Sequence, residues 1–485
     1  MRFEPVIGLE VHAQLATASK IFCGCSTQFG AKPNTQTCPV CLGLPGVLPV
    51  LNEKVVEYAV RMGLAVNCTV REKSIFARKN YFYPDLPKGY QISQYEEPLC
   101  EHGWVDIQPE GGKPRRIRIL RIHVEEDAGK SVHDEAYVGT DETLVDVNRC
   151  GTPLIEIVSE PDMHSPEEAY LYLVKLRQMV RWLGVCDGNM EEGSLRCDAN
   201  ISLRPAGADG LGVKTELKNM NTFRGVEKAL TFEIARQADI LENGGEVVQQ
   251  TLLWDEAAGT AHAMRTKEEA HDYRYFPDPD LPPLHVPEER REAIRESLPE
   301  LPDARRSRWL AHYSFPEYDA DLLNSDRPLS DFADELFPLI PDSKTAANWV
   351  MGDVLRFVND QKIDIRDCKA HPKDLAEIIR LVDTDRISHT SAKKVFEEVA
   401  RNGIDPEKAV EKLGLAQVSD SGALDRYIED VIRTHPDEVQ KFLSGKDKVF
   451  GFLMGQVMKA SRGKANPGMV NSMLRKKLNA LKSES

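Results

Sequence analysis

No run of this chain approaches the ~20 uninterrupted apolar residues of a membrane-spanning helix, and the usual nucleotide and nucleophile fingerprints are missing. There is no G-x-G-x-x-G and no G-x-S-x-G. The stretch Asp127-Ala-Gly-Lys-Ser131 ends like a phosphate-binding P-loop, but Val124 stands where the first glycine belongs. The Glu125–Glu126 pair beside it would repel an unshielded triphosphate. A P-loop enzyme, a dinucleotide fold and an α/β-hydrolase are therefore excluded. Ten cysteines in 485 residues are too few for a dense disulfide framework. The N-terminal text MRFEPVIGLEVH puts Glu4, Pro5 and Glu10 where a secretory signal needs its apolar run. The expectation is a cytoplasmic protein with no membrane partner.

Apolar residues make up 41% and charged residues 29%, the balance of a globular chain, and the length calls for two to four domains. The formal charge of −15 argues against indiscriminate coating of nucleic acid. That charge is uneven. Residues 446–482 carry nine Lys or Arg against Asp447 alone, a net of +8 that leaves −23 on the rest. A basic end on an acidic body is either a solvated helix surface or one local site for a polyanion.

The first ~285 residues are rich in Gly, Pro and β-formers, whereas helical periodicity dominates after 290, in 344–362, 372–383, 388–403 and 422–434. Ser388 and Ser391 precede AKKVFEEVA and mark a helix start. The Pro-rich 278–289 segment is a plausible boundary. The fold class is expected to be α+β: a large domain over 1–290 built on an antiparallel sheet, a helical domain over 291–405 and a small all-helical tail over 406–485.

Four segments alternate with period two, so each reads as a half-buried strand. Glu10, His12 and Gln14 oppose Leu9, Val11 and Ala13. Arg121, His123 and Glu125 oppose Leu120, Ile122 and Val124. Arg196, Asp198 and Asn200 oppose Cys197, Ala199 and Ile201, and Lys214, Glu216 and Lys218 share a further face. An antiparallel sheet with one wet face explains any single strand. Together they assemble Glu10, His12, Glu125, Asp198 and Glu216 with Arg196, Lys214 and Lys218. Hard oxygens and an imidazole suit Mg²⁺ or Mn²⁺, and nearby cations suit phosphate.

Cys23-Gly-Cys25 and Cys38-Pro-Val-Cys41 supply four thiolates in nineteen residues, a set that zinc closes tetrahedrally. A redox role for Cys38 and Cys41 needs a helix directly behind them, and the following LGLPGVLP cannot be an uninterrupted one. The expectation is structural Zn²⁺, with no open coordination position for catalysis.

The chain resembles the B-subunit family of the aspartyl/glutamyl-tRNA(Asn/Gln) amidotransferases. The strings that carry the resemblance run nearly end to end: IGLEVHAQL (7–15), RKNYFYPDLPKGYQISQ (78–94), HVEEDAGKS (123–131), DVNRCGTPLIEIVSEPD (146–162), MEEGSLRCDANISLRP (190–205), ELKNMN (216–221), DYRYFPDPDLPPL (272–284) and GFLMGQVMKASRGKANPGMVNSML (451–474). The resemblance implies a cradle domain, a helical domain and a tail, with an amidase A subunit and a small C subunit completing a heterotrimer. It implies that ATP and Mg²⁺ serve to phosphorylate the side-chain carboxylate of Glu-tRNA(Gln) or Asp-tRNA(Asn), and that ammonia from the amidase displaces the phosphate. It implies Mg²⁺ ligands at Glu10, His12, Glu125 or Glu126, Asp198 and Glu216, with Glu125 favoured over Glu126 by side-chain direction. Arg196, Asn200, Lys214, Lys218 and Arg274 are expected to meet the nucleotide. Lys79, Tyr81, Tyr83, Asp85, Lys88 and Tyr90 form a polar-aromatic string that could line an ammonia route or be an ordinary Tyr-rich loop. Lys459, Arg462, Lys464, Arg475, Lys476 and Lys477 would grip tRNA backbone. The rival reading is a non-catalytic tRNA-binding scaffold of the same complex.

Overall fold

A computed structural model of the chain describes residues 3–132, 142–264, 273–313, 315–416, 421–461 and 465–484. It divides into two compact units, Met1–Ala304 and Arg305–Ser485, and the fold is α+β. In the first unit a nine-stranded sheet runs in the order Thr260–Ala263, Gln250–Asp255, Thr215–Lys218, Leu195–Pro205, Phe3–Gln14, Pro153–Ser159, Arg115–Glu126, Cys100–Ile107 and Thr69–Val70. All neighbours are antiparallel except Thr215–Lys218 and Gln250–Asp255. A parallel pair needs a crossover, and the helix Phe223–Glu242 supplies it.

Period-two alternation gives this sheet one apolar face. Ile7, Leu9, Val11, Ala13, Ile155, Ile157, Ala199 and Ile201 are buried in one core with residues of the helices Glu53–Ala65, Pro166–Trp182 and Phe223–Glu242. Each helix starts on a side-chain cap: Asn52 accepts from the Lys54 amide, Ser165 from Glu168 and Thr222 from Gly225. The expected partition of Arg115–Glu126 fails at one residue. Leu120 is 40% exposed, while Ile117, Ile119, Ile122 and Val124 are buried. The ladder to Pro153–Ser159 shifts register between Val158 and Ser159, and the irregularity moves Leu120 to the wet side.

A second, three-stranded sheet of Phe276–Pro277, Ala77–Asn80 and Tyr90–Ser93 bonds to the end of the Arg115–Glu126 strand. The Ile92 amide donates to Glu126 Oε1 at 2.8 Å, Ser93 Oγ to Glu125 Oε2 at 3.0 Å, and Gln94 Oε1 accepts from the Val124 amide at 3.0 Å. The Pro-rich 278–289 segment folds back on this unit. Arg78 Nε meets Asp278 at 2.7 Å and Arg78 Nη2 meets Asp280 at 2.8 Å.

The second unit is helical among its described residues, and its apolar side chains form two separate clusters, one from Trp309 to Val410 and one from Leu424 to Leu478. Ser388 caps the helix His389–Asn402 by accepting from the Ser391 amide. The expected single helix over 344–362 is interrupted by a π turn at Val350–Val354. It carries a buried Asp353 paired with Arg356 at 2.6 Å and Lys393 at 3.3 Å.

Candidate active site and metal centre

The antiparallel registers decide which polar side chains meet. Arg196 lies opposite His12, His12 opposite Glu156, and Glu156 opposite His123, one row across four strands. Cross-strand partners on one face stand ~5 Å apart at Cβ, so the row becomes a contact network. His12 Nε2 is 3.5 Å from Glu10, 3.4 Å from Glu156 and 3.9 Å from Glu125. His123 Nε2 is 3.4 Å from Glu156 and 3.7 Å from Glu125. The candidate ligand atoms of Glu10, His12 and Glu156 lie within 4.8 Å of one another, as do those of His123, Glu125 and Glu156.

Glu156 belongs to the cluster, but alternation reasoning passes over it. It is the only acid in the otherwise apolar strand Pro153–Ser159, and that isolation is the available signal. Alternation puts His123 on the wet face without marking it as a site residue, although it is nearly fully buried.

Charge is tightly coupled here. Burial opposes a charged His12, yet Glu156, Glu125 and Glu10 outweigh it and raise the imidazole pKa. Burial is likewise overcome at His123, where Glu156 and Glu125 lift the pKa to about 9. Glu156 is held well below the usual carboxylate range because His123 and His12 overcome its burial. Glu10 goes the other way: burial, then the Glu156 charge, push it up. This part of the cluster carries more negative charge than its neighbours balance.

The other expected residues divide. Asp198 lies opposite Glu10 in the ladder, but its Oδ2 accepts from Lys218 at 2.6 Å, and Glu216 Oε1 takes the same ammonium at 2.9 Å. Asn200 lies opposite Glu216. Lys214 is exposed just before the strand Thr215–Lys218. Arg196 is held by Asp127 at 2.8 Å, a buried carboxylate that also accepts from Gln14 at 2.8 Å. Its Nε is buried with no hydrogen-bond partner. Glu126 turns away from His12, accepting from Lys88 and from the Ile92 amide. Lys79 is raised in pKa against its burial, chiefly by Glu125. Its ammonium sits 4.9 Å from the Tyr273 ring, and Tyr83, Tyr81 and Tyr273 follow edge to face at 5.9 and 6.0 Å. Tyr90 lies under Lys88 at 5.2 Å, whereas Asp85 contributes its carbonyl to the Gly129 amide at 2.8 Å. Arg274 adopts φ +42°, and Asn80 Nδ2 fixes that turn by donating to the Arg274 carbonyl at 2.9 Å.

The four cysteines converge. Their sulfurs lie within 4.8 Å of one another, close enough to surround one ion, and the set is compatible with structural zinc. The Cys38 amide donates to Cys41 Sγ at 3.1 Å. A hydrogen bond from Cys23 holds the Cys41 thiol down to about 4. One thiol is thus poised to ionise while Cys25 is pushed up to about 11, first by burial. A cation with a preference for sulfur would relieve this competition.

The family described as GatB/GatE catalytic domain matches residues 5–292, and the GatB domain matches residues 331–478. The B subunit of the aspartyl/glutamyl-tRNA(Asn/Gln) amidotransferase of Geobacter sp. (strain M21) is 56% identical over 479 residues, covering 99% of this chain and 100% of that protein. Its counterpart in Geotalea uraniireducens (strain Rf4) is 57% identical with the same coverage, and that of Thermodesulfovibrio yellowstonii is 55% identical over 98% of this chain and 99% of its own length. The chain belongs to this family of amidotransferase B subunits.

Like the strings that carry the resemblance, the match extends into the basic end of the chain. There Lys459, Arg475 and Lys476 are exposed, Arg475 lying 4.5 Å over the Phe450 ring. Lys477 is occupied by Asp425 at 2.9 Å and Glu429 at 2.6 Å. Arg462 and Lys464 lie outside the described residues. No helix among the described residues is long and apolar enough to cross a membrane.

Proposed function

We propose that this chain is the ATP-using member of a heterotrimeric tRNA-dependent amidotransferase working with an amidase A subunit and a small C subunit in the cytoplasm. It phosphorylates the side-chain carboxylate of Glu-tRNA(Gln) or Asp-tRNA(Asn) and exchanges that phosphate for ammonia from the amidase. The observation that carries this reading is the convergence of Glu10, His12 and Glu156, with Glu125 beside them, at one end of a wet sheet face. The donor set fits a hard divalent cation, since donor atoms of Glu10, His12 and Glu156 lie within 4.8 Å of one another, Glu125 lies 3.9 Å from His12, and burial and the Glu156 charge disfavour an uncompensated Glu10 carboxylate. Glu10, His12, Glu156 and Glu125 would hold Mg²⁺. When bound, Mg²⁺ supplies charge neutralisation for the transferring phosphoryl group.

The remaining residues have separable work. Lys218 gathers Asp198 and Glu216, while Arg196, oriented by Asp127, turns a guanidinium toward the same face. To both cations, with Asn200, Lys214 and Arg274, we assign the nucleotide phosphates. A carboxylate is a poor acyl donor because oxide would have to leave. Once its oxygen bonds to the γ-phosphorus of ATP, the bond to the bridging oxygen breaks, ADP leaves, and phosphate becomes the leaving group on the acyl carbon. Ammonia nitrogen then bonds to the carbonyl carbon, the C–O bond to phosphate breaks, and nitrogen sheds a proton to give the amide. Ammonium cannot attack, so the base must arrive unprotonated and shielded. Lys79, Tyr81, Tyr83, Asp85 and Lys88 line our proposed route. Lys459, Arg462, Lys464, Arg475 and Lys476 offer charge to tRNA backbone, with strong salt dependence, whereas Lys477 is taken by Asp425 and Glu429. We divide the chain into residues 1–290 for phosphorylation, 291–405 as a helical domain and 406–485 for tRNA.

Glu10→Gln and His12→Ala, each assembled with the partner subunits, test the reading by ATP-dependent formation of glutaminyl-tRNA. A loss of about 100-fold or more is expected, because a metal contributes several kcal/mol of charge stabilisation. Normal rates in both variants would reduce the chain to a tRNA-binding scaffold.

A further inference from the structure

We propose that Lys20 is the buried counter-cation of the four-cysteine site and sets how tightly that site holds its metal. The inference rests on the reading of Cys23, Cys25, Cys38 and Cys41 as a zinc site and goes beyond it by naming what balances its charge. Lys20 follows the first strand closely, and its side chain is fully buried at 0% exposure. Its backbone amide donates to the Cys25 carbonyl at 2.9 Å, and the next amide, of Ile21, donates to Gly151 at 3.0 Å. The backbone is thereby fixed between the cysteine loop and the Gly151 turn, and the ammonium must stay inside.

A buried ammonium without a counter-charge is costly, so buried lysines are found paired. Among the described residues the Lys20 ammonium reaches one hydrogen-bond acceptor, the Gln36 carbonyl at 2.8 Å, and no carboxylate within 4.0 Å. A carbonyl is a dipole and does not cancel a charge. The side chain lines a small cavity, about 80 Å³, together with Cys23, Cys41, Lys88, Glu126 and Gly151. Glu126 is engaged: its Oε1 takes the Lys88 ammonium and the Ile92 amide. Asp280, on the same wall, is held by Arg78 Nη2 at 2.8 Å, so the groups left to balance the ammonium are the sulfurs of Cys23 and Cys41.

The charges match. Four thiolates around one divalent ion carry a net charge of −2, which is unfavourable inside a protein and is normally relieved by donors around the ligands. One ammonium brings the assembly to −1 and, through the Gln36 carbonyl, ties down the loop between the two cysteine pairs. Gly151 completes the fit. A Cβ there would lie 3.5 Å from Cys41 Cβ and 3.6 Å from Lys20 Cδ, on a backbone with φ +76°. Both are ordinary contact distances, so the positive φ and not crowding calls for glycine at this turn beside the lysine stem.

The test uses the full-length chain purified with zinc, with metal counted and then titrated against a chromophoric chelator. The parent should hold about one equivalent, and a metal-free parent would remove the four-cysteine reading itself. Lys20→Met should weaken zinc about 10- to 100-fold, the usual effect of losing a partner that supports metal ligands. Lys20→Gln keeps a donor for the Gln36 carbonyl and removes only the charge, so it carries the same expectation if Lys20→Met fails to fold. Lys20→Arg should stay near the parent. Lys88→Met deletes the other cation of the cavity and should leave zinc retention intact. Parental retention in Lys20→Gln would overturn the proposal, and so would an equal loss in Lys88→Met, which would make the effect one of cavity packing.

Discussion

Replacing Glu156 with Gln offers a quantitative probe of the buried cluster. Glu156 lies 3.4 Å from both His12 and His123, and it leads the groups that raise the His123 pKa from its ordinary 6.5 to about 9. An imidazole whose folded pKa lies above its unfolded one adds stability that is fully present below pH 6.5 and disappears as pH rises through 9. Between those values the native chain holds one proton more than the unfolded chain, a slope of about 1.4 kcal/mol per pH unit. The full span is worth about 3 kcal/mol. In Glu156→Gln part of it, on the order of 1–2 kcal/mol, should vanish, and part should stay because Glu125 remains at 3.7 Å. Glu156 is itself held well below 4.5, so it contributes above its unfolded pKa and is lost as pH falls, an acid-side term the variant also lacks. Two measurements in chelator-treated, metal-free buffer read this: histidine-selective NMR titration for the His123 pKa, and urea midpoints from pH 4 to pH 9.5. An unchanged His123 titration, or parent and variant curves that stay parallel over the whole range, would refute the argument.

Two further outcomes follow from the same structure. Cys23→Ser combined with Cys38→Ser should purify without its equivalent of zinc and with a destabilised first unit, and full metal content in that variant would contradict a four-thiolate centre. In the tail, Arg475→Ala with Lys476→Ala should weaken tRNA binding and flatten its dependence on salt by about two phosphate contacts. Lys477→Ala should instead leave affinity nearly unchanged while costing up to about 1 kcal/mol of stability, because its ammonium is already taken by Asp425 and Glu429. Filter binding across a salt series separates the two, and identical slopes for all variants would remove this helix from the tRNA surface.

The sequence alone determined which side chains could share a face. Alternation is a local property of extended backbone, so Glu10 and His12 on one side and Ile7, Leu9 and Val11 on the other needed no knowledge of neighbours. Helix periodicity and caps are equally local, which is why Ser388 and the span 388–403 were legible. The clustering of Cys23, Cys25, Cys38 and Cys41 followed from short spacing. Register between distant strands is not local, and tertiary structure decided it. The ladder that sets Glu156 between His12 and His123 joins the first strand to residues more than a hundred positions away, and no periodicity in the strand Pro153–Ser159 announces that partner. The same sheet brings Asp198 beside Glu10, while the Lys218 side chain neutralises it. One irregular step, between Val158 and Ser159, turned Leu120 outward against its own alternation. The burial of Lys20 was equally hidden, because a lysine's charge reads as surface until packing supplies the anions around it.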